Sequence, residues 1–242
     1  MRYLLLIISL LSNTCFSQGK PIVIAVMDTG FGYNKESTVE KRLCKYGHRD
    51  FTSDNKWANS FKTVDRVPLD LNRHGTNVVG TIENTAGKGN YCFVIVKFIS
   101  NGKGDKSLDN DYRNTIRYIV GLKPTIINYS GGGAGFDEFE YKEIKKYLDN
   151  GGILVTAAGN NGYDLDDKKN AYYPAMYDPR IIVVGNKNED GTPHYASSYG
   201  SSVKYWENGV NVVAFGIKLT GSSQATAIET GKIVKLLNEK KL

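Results

Sequence analysis

Beyond its first 17 residues, this chain of 242 holds two cysteines, six prolines and no apolar run long enough to cross a bilayer. Each shortage excludes something. A membrane-spanning helix needs about 20 apolar residues, so no stable span is expected. Cys44 and Cys92 lie too far apart in sequence to make a metal site; they either pair or pack as two buried thiols. Few prolines beside 26 glycines speak for tight turns and against a collagen-like or disordered chain. A basic stripe and an aromatic-interleaved module are also missing. The formal net charge of +6 is spread along the chain, as on a solvated surface, so no nucleic-acid partner is expected. No repeat, low-complexity segment or linker divides the sequence.

The N-terminus has what the rest lacks. Arg2 is a positive end, residues 3–11 form a short apolar core, and residues 12–17 a polar tail with small residues. Together they read as a secretory signal cleaved after Ser17. Ser12-Asn13-Thr14 before Cys15 is a poor match to a lipid-anchor site. Residues 18–242 then form a single compact domain, expected to be monomeric. No pro-segment fits between Ser17 and Pro21. Export to the periplasm or the outside would put Cys44 and Cys92 in an oxidising compartment.

Residues 21–27 are a continuous apolar, β-branched run, which reads as a strand buried on both faces and therefore parallel. It ends in Asp28-Thr29-Gly30. A polar stretch over residues 31–72 surrounds Cys44 and Trp57. Then comes Arg73-His74-Gly75-Thr76, opening a helix with Val78, Val79 and Ile82 at helical spacing. Gly75 lets another backbone approach, and Thr76 is placed to satisfy open amides of the first turn. Further strands are expected over residues 93–99, 125–129, 153–157, 180–185 and 210–215, the last a long one. Helical spacing covers residues 111–121 and 138–150, and Gly221-Ser222-Ser223-Gln224-Ala225 opens a C-terminal helix. Strand and helix alternate throughout, which implies a three-layer α/β fold with a doubly wound, mainly parallel sheet.

Asp28, His74, Asn160 and Ser223 all stand at element ends, where such sheets build their sites. Acyl transfer needs this set of parts. A serine hydroxyl is a weak nucleophile until a base takes its proton, and imidazole titrates near working pH. A buried carboxylate at Asp28 would fix the imidazole tautomer. The Asn160 amide and the Ser223 N–H would steady a tetrahedral oxyanion.

Asp28-Thr29-Gly30, His74-Gly75-Thr76, Ala157-Ala158-Gly159-Asn160 and Gly221-Ser222-Ser223 resemble, in order, the signatures of the subtilisin-like serine proteases, or subtilases. The order Asp, His, Ser is also theirs. The resemblance covers nearly all of residues 18–242. It implies the subtilisin-like fold and an exported serine endopeptidase acting through an acyl-enzyme, with Asp28, His74 and Ser223 as triad and Asn160 in the oxyanion hole. Ser130, Gly131 and Gly132 would then pair with a polypeptide substrate bound as an extended strand. Ala157, Ala158 and Gly159 would wall the primary specificity pocket. Tyr173-Pro174-Ala175 is similar to the turn at that pocket's base. Tyr172 stands there where a small residue is frequent, which favours small side chains before the cut bond. Asp164, Asp166 and Asp167 nearby would instead select a basic one.

The chain departs from the family pattern in several places. Ser222 replaces the usual threonine before the nucleophile, Gln224 the frequent methionine after it, and Ala227 a proline. The segment over residues 83–91 is short where many subtilases carry a calcium loop, and Glu83 is its only carboxylate. No cofactor is therefore required and no calcium is expected there, although a site near Asp164, Asp166 and Asp167 stays open. Residues 216–220 are also short, which would displace Ser223. The trimmed loops and missing pro-segment keep a second reading in play, a catalytically silent subtilase-like domain that binds extended peptides. A serine esterase of the α/β-hydrolase type is disfavoured, because Gly221-Ser222-Ser223-Gln224-Ala225 lacks the Gly-x-Ser-x-Gly elbow and the serine comes last.

Overall fold

The structure, a computed structural model, describes residues 19–32, 38–52, 67–99 and 108–240. The signal-like residues 1–17, the expected cleavage point and Trp57 lie outside the described residues.

Strand β1 (Ile22–Asp28) is buried almost throughout. Its side chains alternate across the sheet, Ile22, Ile24 and Val26 entering one core and Ala25 and Met27 another. A strand that is apolar on both faces requires a layer on each side. It pairs in parallel with β3 (Tyr91–Lys97) and β4 (Ile126–Tyr129). With β2 (Arg49–Asp50), β5 (Ile153–Ala157), β6 (Ile182–Asn186) and β7 (Tyr205–Glu207), they form one sheet in the order β2-β3-β1-β4-β5-β6-β7, parallel at every pairing.

Helices α1 (His74–Ala86) and α4 (Ser222–Glu239) cover one face. Val78, Val79 and Ile82 from α1 and Ala225, Ala227 and Ile233 from α4 close over Ile22, Ile24 and Val26. On the other face, α2 (Leu108–Gly121) and α3 (Glu138–Asp149) bring Ile116, Ile119, Ile144 and Leu148 onto Met27 and Val94. Each fully buried aliphatic side chain contributes roughly 1.5–3 kcal/mol. The three-layer α/β architecture is the one read from the sequence.

Two details differ. Residues 210–215 do not form a long strand. Instead β8 (Val212–Ala214) and β9 (Ile217–Leu219) make an antiparallel hairpin apart from the main sheet. Asn211, Phe215 and Gly216 have φ of 54°, 49° and 70°, and these left-handed turns bracket the segment so that it cannot run on. Strands β2 and β7 are not among the expected ones; two and three residues are too few for a period to register.

Cys44 and Cys92 are disulfide-bonded, Cα to Cα 5.0 Å, which resolves the alternative left by the sequence. The bridge ties the short 3-10 turn region (Thr38–Arg42) to β3. Among the described residues no helix is long and apolar enough to cross a membrane.

Candidate active site

Adjacent strands β1, β4 and β5 end at one edge of the sheet, and the N-termini of α1 and α4 meet them there. Asp28 closes β1 and is buried. Its Oδ1 accepts from His74 Nδ1 at 2.8 Å and from the Thr29 N–H at 2.7 Å. A carboxylate only accepts, so the imidazole proton sits on Nδ1 and Nε2 keeps its lone pair. The ring remains partly exposed, and Nε2 has no hydrogen-bond partner among the described residues. A Cβ on Gly75 would stand 3.2 Å from Asp28 Oδ1 and closer still to the Gly30 carbonyl, so only glycine lets α1 begin this close to the carboxylate. Burial pushes the His74 pKa down. The charge and hydrogen bond of Asp28, with the charge of Asp70, outweigh it and leave the pKa raised above 6.5.

Asp70 was missed in the sequence, and it organises this corner. Its buried carboxylate accepts at Oδ1 from Thr29 Oγ1 (2.9 Å) and the N–H groups of Asn72 (2.9 Å) and Arg73 (2.8 Å). At Oδ2 it accepts from Thr76 N–H (2.9 Å) and Thr76 Oγ1 (2.6 Å). Asp70 therefore takes the capping role expected of Thr76, whose hydroxyl serves instead to accept from the Gly32 N–H at 2.8 Å. The reason lies in Arg73, which holds a left-handed φ of 76° at the cap position and turns the preceding loop under the open amides. An aspartate four residues before His74, inside a polar loop, was the available signal.

Ser223 lies in the first turn of α4. Its hydroxyl donates to the Ser130 carbonyl at 2.9 Å, and Ser130 Oγ donates back to the Ser223 carbonyl at 3.1 Å. Behind them Asn128 Nδ2 donates to Ser130 Oγ (3.0 Å) and Thr230 Oγ1 to Asn128 Oδ1 (2.8 Å), a buried chain from β4 into α4. Ser222 N–H and Oγ both donate to Asn160 Oδ1, at 2.8 and 3.0 Å. A backbone N–H is an obligate donor, so this fixes the oxygen end of the Asn160 amide and leaves Nδ2 facing outward. The Ser223 N–H, one of the open amides of a helix start, has no acceptor within its own helix.

After β4 the chain runs through Ser130, Gly131 and Gly132. The Gly131 carbonyl accepts from Thr156 Oγ1 (3.1 Å), and Gly133 exchanges both backbone bonds with Tyr173 (2.8 and 2.7 Å). Among the described residues the N–H and C=O of Gly132 make no backbone hydrogen bond. The Tyr172 ring lies between this segment and the end of β5. A Cβ on Gly132 would stand 2.6 Å from ring Cε1, and one on Gly159 3.4 Å from Cζ. Burial raises the Tyr172 pKa. Of the expected wall residues, Gly159 meets the ring, while Ala157 and Ala158 are fully buried.

The three aspartates near Tyr172 are occupied in loop structure. Asp166 accepts from Ser201 N–H and Oγ, Asp164 Oδ1 accepts from the Asp166 N–H, and Asp167 caps a short 3-10 turn and pairs with Lys169.

The model of the Subtilase family matches residues 19–241. The chain is 30% identical over 230 residues to the major intracellular serine protease of Bacillus subtilis (strain 168), covering 89% of this chain and 68% of that protein. It is 27% identical over 219 residues to subtilisin-like protease 6 of Trichophyton verrucosum, covering 82% of this chain and 46% of that one. The chain thus spans about two-thirds of the first relative and less than half of the second. Among solved structures, a cold-adapted subtilisin-like serine proteinase superposes with a TM-score of 0.72 at 24% identity, over 95% of this chain and 79% of that one. A lanthipeptide protease does so with a TM-score of 0.72 at 16% identity, over 92% and 76%.

Proposed function

The chain belongs to the subtilase family of serine-type endopeptidases, and from that premise we propose that it is an exported enzyme cutting polypeptides bound as extended strands. The observation that carries the reading is the bond of 2.8 Å between Asp28 Oδ1 and His74 Nδ1, at the sheet edge that also holds Ser223 and Asn160.

With Nδ1 held by Asp28, His74 Nε2 takes the Ser223 proton as Oγ attacks the scissile carbonyl. Ser223 Oγ first leaves the Ser130 carbonyl, a rotation about one side-chain bond. Asn160 Nδ2 and the Ser223 N–H receive the oxyanion, two donors set in place before the charge develops. His74 then gives the proton to the leaving amine, and water releases the acyl group by the same route reversed.

The substrate backbone pairs with the Ser130–Gly132 side, where Gly132 presents an N–H and a C=O. The Tyr172 ring fills the space between Gly132 and Gly159. That favours glycine, alanine or serine before the cut bond, and the engagement of Asp164, Asp166 and Asp167 within their own loop removes the reason to favour lysine or arginine.

Two observations support export. Residues 1–17 have the signal pattern, and the Cys44–Cys92 disulfide is of a kind that persists in oxidising compartments. A peptide library digested by the protein and read by mass spectrometry tests the substrate class. Cuts after small residues are expected, with large side chains gained by Tyr172→Gly. Cuts after phenylalanine or arginine by the unaltered protein would count against the Tyr172 reading.

A further inference from the structure

Gln224 follows Ser223 in α4 and is almost fully buried. Its Nε2 donates to Asn77 Oδ1 at 3.1 Å. Asn77 is itself fully buried on α1, three residues beyond His74. Asn77 Nδ2 donates in turn to the carbonyls of Val212 (3.2 Å) and Ile217 (2.9 Å), on β8 and β9. Those two carbonyls only accept, so they fix the nitrogen end of the Asn77 amide. Its oxygen then requires a donor, and Gln224 supplies one.

A single amide relay thus joins three segments: the helix that bears His74, the helix that bears Ser223, and the hairpin leading into Ser223. His74 and Ser223 have no hydrogen bond to each other among the described residues. Their spacing therefore depends on how α1 and α4 lock together. Further along, Gly231 lets α4 lie against Thr85 and Ile82; beside the site, the lock is this relay. A methionine at 224 fills similar space but donates nothing, which leaves the buried Asn77 oxygen unpaired.

We propose that Gln224 and Asn77 are positioning residues for acyl transfer, holding the imidazole of His74 and the hydroxyl of Ser223 in reach of one another across the α1–α4 contact. The proposal rests on the serine-peptidase reading above. It also gives the short segment before Ser223 an anchor, since the hairpin is fastened to the histidine helix itself.

The test is the kinetics of labelling by a fluorophosphonate, for the wild type, Gln224→Met, Asn77→Ala, the double variant and Thr85→Ala. Thr85 lies at the same helix contact but away from the site, and it reports what loosening alone does. Expected for Gln224→Met is a fall of at least about tenfold in the saturating labelling rate, since small misplacements of reacting groups are costly. Its half-saturating probe concentration should not move. The double variant should be no slower than Asn77→Ala, as for two members of one relay, and Thr85→Ala should label at the wild-type rate. Gln224→Met leaves the hairpin bonds of Asn77 in place, so it decides alone should Asn77→Ala not fold. An unchanged rate in Gln224→Met, or an equal fall in Thr85→Ala, overturns the proposal. A wild type that does not label overturns the peptidase reading and this proposal with it.

Discussion

Ser223 and Ser130 hold each other across two elements, each hydroxyl donating to the other's backbone carbonyl at 2.9 and 3.1 Å. The proposed nucleophile is therefore parked on the segment proposed to bind substrate, not on its proposed base. On the other side, Ser222 grips Asn160 through both its N–H and its hydroxyl. The neighbouring serines thus have separate tasks, and the separation is measurable.

Ser222→Ala removes one of the two bonds on Asn160 Oδ1 and keeps the shorter. We expect about 2–12-fold lower kcat, the worth of one ordinary hydrogen bond. Asn160→Ala removes an oxyanion donor and should cost about 10²–10³-fold in kcat, with KM little changed. Steady-state kinetics on a peptide found in the library screen checks both. Equal losses in the two variants would mean that Ser222 acts on the reaction itself.

With His74 as the proposed base, its raised pKa should set the acid limb of activity. The base must be neutral, so kcat/KM should rise with pH through a value above 6.5. Asp28→Asn removes the charge that raises it, so the limb should shift to lower pH while the rate falls about 10⁴-fold. The stability effect runs the opposite way. The protonated pair with Asp28 contributes fully below pH 6.5 and is lost as pH rises through the folded pKa, so the active form lacks that contribution. A pH–rate profile of both proteins is the measurement.

Glu229 provides a second pH dependence, away from the site. Burial on α4, then the charge of Glu207 and a hydrogen bond with it, push its carboxyl up to about 7, against the pull of Lys232 and Lys187. An acid with a raised pKa keeps its proton in the folded state while the unfolded chain releases it. The contribution of this group should therefore be largest below about pH 4.5, fall as pH rises to about 7, and level off. Glu229→Gln should flatten that fall and be more stable than wild type at pH 8 by roughly 1–3 kcal/mol. Urea midpoints at pH 5 and pH 8 decide; an equal fall in the variant would assign the pH dependence elsewhere.

How much of this was legible beforehand follows from where the signals lie. The strands announce themselves because β-branched runs such as residues 22–27 must be buried on both faces, and β1, β4 and β5 each give way within a few residues to a polar one. That placed Asp28, Ser130 and Asn160 at one edge. Asp70 offered only a weak signal, an aspartate in the polar loop before His74, because its importance lies in five hydrogen bonds across a turn. Gln224 and Asn77 are 147 residues apart in sequence, and read singly each is an ordinary amide. The hairpin was misread as one strand because the left-handed turns at Asn211 and Phe215 fall on residues with no glycine signal.

Arg42 bears on calcium. Its guanidinium donates to the carbonyls of Gly89 (3.0 Å) and Gly87 (3.3 Å), lies 3.5 Å from Glu83 and stacks 4.1 Å over Tyr91. We propose that this resident cation serves the shortened loop after α1 in place of a metal. A chelator should leave the thermal midpoint unmoved, while Arg42→Ala should cost only about 0.5–1.5 kcal/mol, since the Gly87 carbonyl keeps the Tyr91 hydroxyl and the Gly89 carbonyl turns to water. A midpoint that falls with chelator and recovers with calcium would show the opposite.

The most direct measurement is to treat residues 18–242 with a fluorophosphonate and locate the adduct by mass spectrometry, beside Ser223→Ala and His74→Ala. Expected is a single adduct on Ser223 in the wild type, absent from the first variant and nearly so from the second. A folded wild type without adduct, or an adduct on Ser222, would contradict the assignment of Ser223 as the activated nucleophile and favour a domain that binds peptides without cutting them.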